Sequence, residues 1–161
     1  SHDTARIMTI ASDDAASVEL ALTLLLTFPG APSIYYGTEI GLQGFGDPDS
    51  RRSMPWDETR WNTDLLETTK RLIALRGTHP ALRSADYRRI DTGAEHSMVT
   101  MFSRHGEGEA LVVAVNAGDK DETVSPAIEP EAELQAIWGE GTAIGGEFLV
   151  PRRSAVIWQV G

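Results

Sequence analysis

The sequence predicts an α/β portion over residues 1–80 followed by an all-β portion over residues 81–161. Three observations carry this reading. Residues 15–28 are apolar on nearly every face of a helix, a loop rich in Gly and Pro occupies residues 41–62, and after Pro80 the chain breaks into short β-prone runs. At 161 residues, 41% of them hydrophobic and 24% charged, the length suits one domain or two small ones. That mix excludes a collagen-like or wholly disordered chain.

The elements follow in order. Ser12, followed by Asp13 and Asp14, reads as an N-cap with acids in the first helical turn. From Ala15 to Phe28 the pattern Ala16, Val18, Leu20, Leu22, Leu24, Leu25, Leu26 leaves little polar stripe, so this helix must be buried in a larger body. Pro29-Gly30 stops it. Ser33-Ile34-Tyr35-Tyr36, bounded by Pro32 and Gly37, predicts one buried strand. A loop of about twenty residues then follows, a length uncommon in a compact domain unless the loop is functional.

Asp64 with Glu67 three residues on resembles a capping box and opens a second helix. Its apolar face is Leu65, Leu66, Leu72, Ile73 and Leu75, and Gly77 and Pro80 end it. Beyond Pro80, the runs Tyr87–Ile90, Met98–Phe102, Leu111–Val115, Leu134–Trp138, Phe148–Val150 and Ala155–Val160 predict an antiparallel sandwich or barrel.

Charge narrows the function classes. With 14 Lys and Arg against 24 Asp and Glu the net charge is −10, which disfavours a nucleic-acid partner. The chain has 0 Cys, hence no disulfide framework or thiolate metal site. The most apolar stretch, Leu20–Leu26, falls far short of the roughly 20 residues needed to span a bilayer, so no membrane partner is expected.

Two polar clusters could carry chemistry. Ser1-His2-Asp3-Thr4-Ala5-Arg6 sets an imidazole beside a carboxylate, although an Asp in such a place also serves as a cap or surface charge. Asp47-Pro48-Asp49-Ser50-Arg51-Arg52 alternates carboxylates and guanidiniums, which also describes a solvated turn. Trp56 and Trp61 could pin the loop or stack on the flat face of a ligand.

Taken together, these clusters and Pro29-Gly30-Ala31-Pro32-Ser33-Ile34-Tyr35-Tyr36-Gly37-Thr38-Glu39-Ile40-Gly41 resemble the α-amylase family, glycoside hydrolase family 13. The likeness extends to Ser53-Met54-Pro55-Trp56-Asp57 and is nearest to the neopullulanase, cyclomaltodextrinase and maltogenic amylase branch. The resemblance implies the C-terminal part of a (β/α)8 barrel over residues 1–80 and a β-sandwich domain over 81–161. It implies retaining hydrolysis of maltodextrins, cyclodextrins or related α-glucans, with a nucleophile, an acid/base and a third, transition-state-stabilising carboxylate. The third role maps to Asp3. His2 maps to a hydrogen bond with the sugar, Asp47 and Arg51 to the next glucose on the non-reducing side, and Trp56 to the pocket wall. Tyr36 and Glu39 map to scaffold.

The motifs of the nucleophile and acid/base lie upstream of these in the family. The chain is therefore expected to be inactive alone and to need a missing N-terminal barrel portion as partner. Without that portion, the apolar helix is expected to present an adhesive patch. No cofactor and no metal are expected. The parent enzyme could form a homo-oligomer, and the compartment stays open, with the branch leaning towards the cytoplasm. Thr38 and Ser50 depart from residues common in relatives, Asp and Cys. Two alternatives are a non-catalytic carbohydrate-binding or structural β-module and a relative that transfers glucosyl units.

Overall fold

The computed structural model describes residues 2–127 and 133–161. A single helical turn, α1 (Ile7–Ile10), leads to the long helix α2 (Ala15–Thr27). The expected cap moves: Asp14, not Ser12, is the N-cap, and Ser17 Oγ donates to Asp14 Oδ2 at 2.6 Å. Ser12 and Asp13 instead turn the chain in the left-handed region at φ 54° and 66°, their N–H groups donating to Thr9 O and Met8 O. A residue already spent on that turn cannot also sit at the extended cap position.

Helix α2 lies between two layers. Val18, Leu22 and Leu26 pack with Met8, Leu65 and Leu72 on one side, and Leu20 packs against the sheet on the other. The burial predicted for the whole helix is incomplete: Leu25 and Phe28 keep 38% and 40% of their surface in solvent. The predicted strand Ser33–Tyr36 is also absent. The segment joins no ladder, because among the described residues no strand lies beside it to exchange hydrogen bonds.

Helix α3 (Thr63–Thr78) is capped by Asn62, whose side chain accepts from Leu65 N at 3.0 Å. Asp64 falls within the first turn, and Glu67 binds Lys70 at 2.7 Å instead of reaching back to a cap. Leu65 and Leu72 are fully buried as expected, but Ile73 is 51% exposed. Gly77 stays inside the helix, and α4 (Pro80–Arg83) begins after His79, with Pro at a first-turn position where its missing N–H costs nothing.

Among the described residues eight strands follow: β1 (Asp86–Ile90), β2 (Val99–Gly106), β3 (Glu109–Asn116), β4 (Glu122–Val124), β5 (Leu134–Trp138), β6 (Thr142–Ile144), β7 (Glu147–Val150) and β8 (Ser154–Val160). They form a five-stranded antiparallel sheet ordered β1-β2-β3-β8-β5 and a three-stranded one ordered β4-β7-β6. The six predicted runs all become strands. The two short ones, β4 and β6, went unpredicted because three residues are too few to show alternation. A Gly145-Gly146 turn at φ 59° and 84° joins β6 to β7, and only glycine takes such values without strain.

Side-chain alternation gives the larger sheet two buried faces. Phe102, Leu111, Val113 and Ile157 turn towards α2 and α4 and share a core with Leu20, Ala81 and Leu82. Met101, Val112, Val156 and Trp158 turn the other way, onto Val124, Phe148 and Val150 of the smaller sheet. The Phe148 and Trp158 rings meet edge to face at 5.2 Å.

Two buried arginines converge on the C-terminal end of α2, Arg76 from α3 and Arg104 from the sheet. Arg76 donates to Leu26 O, Phe28 O and Gly30 O at 2.7, 3.1 and 2.6 Å. Arg104 donates to Thr27 O, Ser84 O and Asp86 O. Carbonyls at a helix C-terminus lack partners within the helix and carry partial negative charge, so cations settle there. Burial, together with their neighbouring positive charges, lowers the pKa of both guanidiniums below the ordinary arginine value.

Candidate active site

The two polar clusters, 41 positions apart at their nearest, meet in space. Arg6 brings them together. It is 3% exposed and donates Nε to Ser50 O at 2.7 Å and Nη1 to Tyr36 O at 2.5 Å, while its backbone N–H donates to Gly44 O at 2.8 Å. Its guanidinium lies over the rings of Tyr35 and Tyr36, 4.2 and 4.6 Å from their centroids. Stacking on two aromatic faces offsets part of the cost of burying the charge.

The loop from Gly44 to Arg52 is shaped by close backbone approach. A Cβ on Gly44 would stand 2.6 Å from Asp49 O, so only glycine fits there. Asp49 accepts the Phe45 N–H at 2.7 Å and grips the Arg52 guanidinium at 2.7 and 3.0 Å. The Arg52 side chain first, then the Phe45 N–H, hold the Asp49 carboxyl below the ordinary 3.8. The Asp47–Pro48 peptide is cis, and a short 3-10 turn, Asp49–Arg51, follows it.

That turn carries Ser50 and Arg51 to the front of the chain. Ser50 Oγ and Arg51 Nε both donate to His2 O, at 2.9 and 3.3 Å. Arg51 Nε also binds Asp47 Oδ1 at 2.9 Å, and Arg51 Nη2 lies 3.7 Å from Asp3 Oδ1. His2 Nε2 lies 3.2 Å from the same Asp3 oxygen. Four of the five predicted site residues therefore form one cluster: His2, Asp3, Asp47 and Arg51. Their side chains are 48–67% exposed, open to a ligand. Trp56 stands apart as an exposed aromatic with 80% of its surface in solvent, and Ser1 lies outside the described residues.

The chemistry available is hydrogen bonding to a polyhydroxylated ligand. Two carboxylates accept, an imidazole can do either, and a planar guanidinium donates from fixed directions. Among the described residues no group of three or more His, Asp or Glu has the geometry to hold a metal ion. Two buried polar atoms among the described residues find no partner, Arg6 Nη2 and Glu39 Oε2.

Sequence reasoning missed the organising part of Arg6 and Ser50. Arg6 was visible only as a cation beside His2 and Asp3, and two consecutive tyrosines were the one hint that a flat cation could stack there.

Comparisons with known proteins place the chain among its relatives. The family described as alpha amylase, catalytic domain, matches residues 1–85. A cyclomaltodextrinase of Geobacillus thermopakistaniensis is 33% identical over 151 residues, which is 92% of this chain and 26% of that protein. This chain thus spans about a quarter of that relative's length. Among solved structures, the acarbose-soaked debranching enzyme of Nostoc punctiforme superposes with a TM-score of 0.80 at 41% identity, covering 98% of this chain and 32% of that one. An α-amylase of Geobacillus thermoleovorans complexed with acarbose gives 0.85 at 27% identity, over 99% and 37%.

Proposed function

The chain belongs to glycoside hydrolase family 13, the alpha-amylase family, and from that premise we propose that it is the C-terminal part of a retaining α-glucoside hydrolase. Its substrates are maltodextrins, cyclodextrins or related α-glucans. The names of its relatives support that class, as do two structural neighbours that hold acarbose or were soaked in it. In this reading residues 1–80 are the last portion of a (β/α)8 barrel. The two packed sheets over 81–161 are its terminal β-sandwich.

The observation that carries the proposal is the bridge made by Arg51 between Asp3 and Asp47. It puts a carboxylate for the reacting sugar and a carboxylate–guanidinium pair for the neighbouring one in a single continuous patch. Retaining hydrolysis passes through an oxocarbenium-like transition state in which positive charge develops on the sugar ring. Asp3 stabilises that charge and accepts from ring hydroxyls whose acidity rises as it develops. Interactions that strengthen only then raise turnover, not merely affinity. His2 donates to a hydroxyl of the same ring. Asp47 and Arg51 grip the next glucose, and Trp56 stands at the rim, where an aromatic face can meet a sugar.

The nucleophile and the acid/base come from outside residues 1–161, so these residues by themselves do not turn over. Assay on a chromogenic maltoside and on a cyclodextrin tests this, and turnover by the isolated chain overturns it. Within the whole enzyme Asp3→Asn lowers kcat on the order of 100-fold or more, as loss of a preorganised electrostatic group does. An unchanged kcat would instead favour a non-catalytic carbohydrate-binding role.

A further inference from the structure

Arg6 is buried at the site and meets no carboxylate among the described residues, its polar contacts being backbone carbonyls from two different loops. Its Nε holds Ser50 O and its Nη1 holds Tyr36 O, with the plane stacked on Tyr35 and Tyr36. From the other side, Ser50 Oγ and Arg51 Nε reach His2 O. The Ser50–Arg51 peptide is thus held between the Arg6 fork and the carbonyl of the residue directly before Asp3. At 3% exposure Arg6 is out of reach of a sugar.

We infer that Arg6 is a positioning residue: its two-pronged grip sets where the Arg51 guanidinium stands relative to the Asp3 carboxylate, and so governs turnover without touching substrate. The inference rests on the reading of Asp3 as the stabilising carboxylate. The chemical reason is geometric. A guanidinium donates along fixed, coplanar directions, so it fixes two carbonyls relative to each other, whereas an ammonium holds one point. A displacement of about 1 Å at a reacting centre is worth on the order of 100-fold in rate.

The test uses the whole hydrolase with four substitutions. Arg6→Lys keeps the charge and loses the fork. Ser50→Ala cuts the far end of the same link and leaves the contacts of Arg6 intact. Arg76→Lys, a buried arginine that also grips carbonyls but at the end of α2, is the control for stability loss alone. Asp3→Asn checks the underlying reading. We expect Arg6→Lys to lower kcat on the order of 100-fold with KM little changed. Ser50→Ala should lower kcat in the same sense and be non-additive with Arg6→Lys, while Arg76→Lys shifts the melting temperature and leaves kcat per folded molecule alone. An Arg6→Lys enzyme with wild-type kcat, or a loss no larger than that of Arg76→Lys, overturns the inference. If Arg6→Lys does not fold, Ser50→Ala with unchanged kcat overturns it alone. If Asp3→Asn keeps its rate, the functional reading has failed and the inference goes with it. A collapsed Asp3→Asn beside an intact Arg6→Lys defeats the inference only.

Discussion

Arg51 donates through Nε to Asp47 Oδ1 at 2.9 Å, four residues back along the same loop, while its outer nitrogen points to Asp3. One face of the guanidinium is therefore fixed by protein and the other is left to share with a ligand. Removing it should weaken substrate holding and, by releasing the Asp3 carboxylate it faces, slow the chemistry as well. Arg51→Ala is expected to raise KM about tenfold or more, as loss of a charge-assisted hydrogen bond does. Arg51→Lys should recover little, since an ammonium cannot span both carboxylates. Steady-state kinetics on a short maltooligosaccharide check both. The melting temperature should stay near wild type, because exposed ion pairs add little to stability.

Acid should loosen the site loop at Asp49. Its carboxylate holds Phe45 N–H and Arg52, and those bonds keep its folded pKa below the ordinary 3.8. A depressed folded pKa contributes stability that is fully present above the unfolded value and is lost as pH falls through the folded one. The protection factor of the Phe45 amide, taken against intrinsic exchange at the same pH, should therefore be steady above about pH 3.8 and fall below it. Asp49→Asn should give low protection at neutral pH with no further fall in acid. Exchange that is equally slow in Asp49→Asn at neutral pH would show that the carboxylate does not hold the loop.

Arg104 carries a larger structural load. It is fully buried and joins Thr27 O at the end of α2 to Ser84 O and Asp86 O before and within β1. Met in its place keeps much of the apolar volume and leaves those carbonyls without donors. A loss of about 3 kcal/mol follows from unsatisfied buried acceptors. Urea unfolding should register it as a lower midpoint at an unchanged slope.

The exposed apolar side of α2 should make the isolated chain associate. Leu25 and Ile10, the latter 63% exposed, line one cleft with Ala21 and Ile34. Contiguous apolar surface of this kind drives self-association in water. Sedimentation should detect oligomers that grow with concentration, and Leu25→Glu combined with Ile10→Lys should return the chain to monomer. A wild-type monomer at high concentration contradicts this.

The legible parts of the fold were those governed by neighbours in sequence. The α2 run, its stop at Pro29-Gly30 and the six longer strands came from local pattern. Local pattern failed where a second segment had a vote. Ser12 looked like a cap until the chain had to turn at that point, and Ile73 looked buried because period alone cannot say which edge of an apolar face meets a partner. The tetrad His2, Asp3, Asp47 and Arg51 was readable by residue type and by likeness to a family, though not as a cluster.

By itself the sequence determined the chemistry on offer: which carboxylates, which guanidiniums, and a net charge of −10. The tertiary structure decided which of those groups meet. Asp3 and Arg51 are 48 positions apart and come within reach of each other where buried Arg6 holds Ser50 and Ser50 holds His2. The physical reason is that chain connectivity constrains only near neighbours. Bringing two distant loops to within 4 Å takes a buried group with several directed bonds, and its value cannot be seen until both loops are in place.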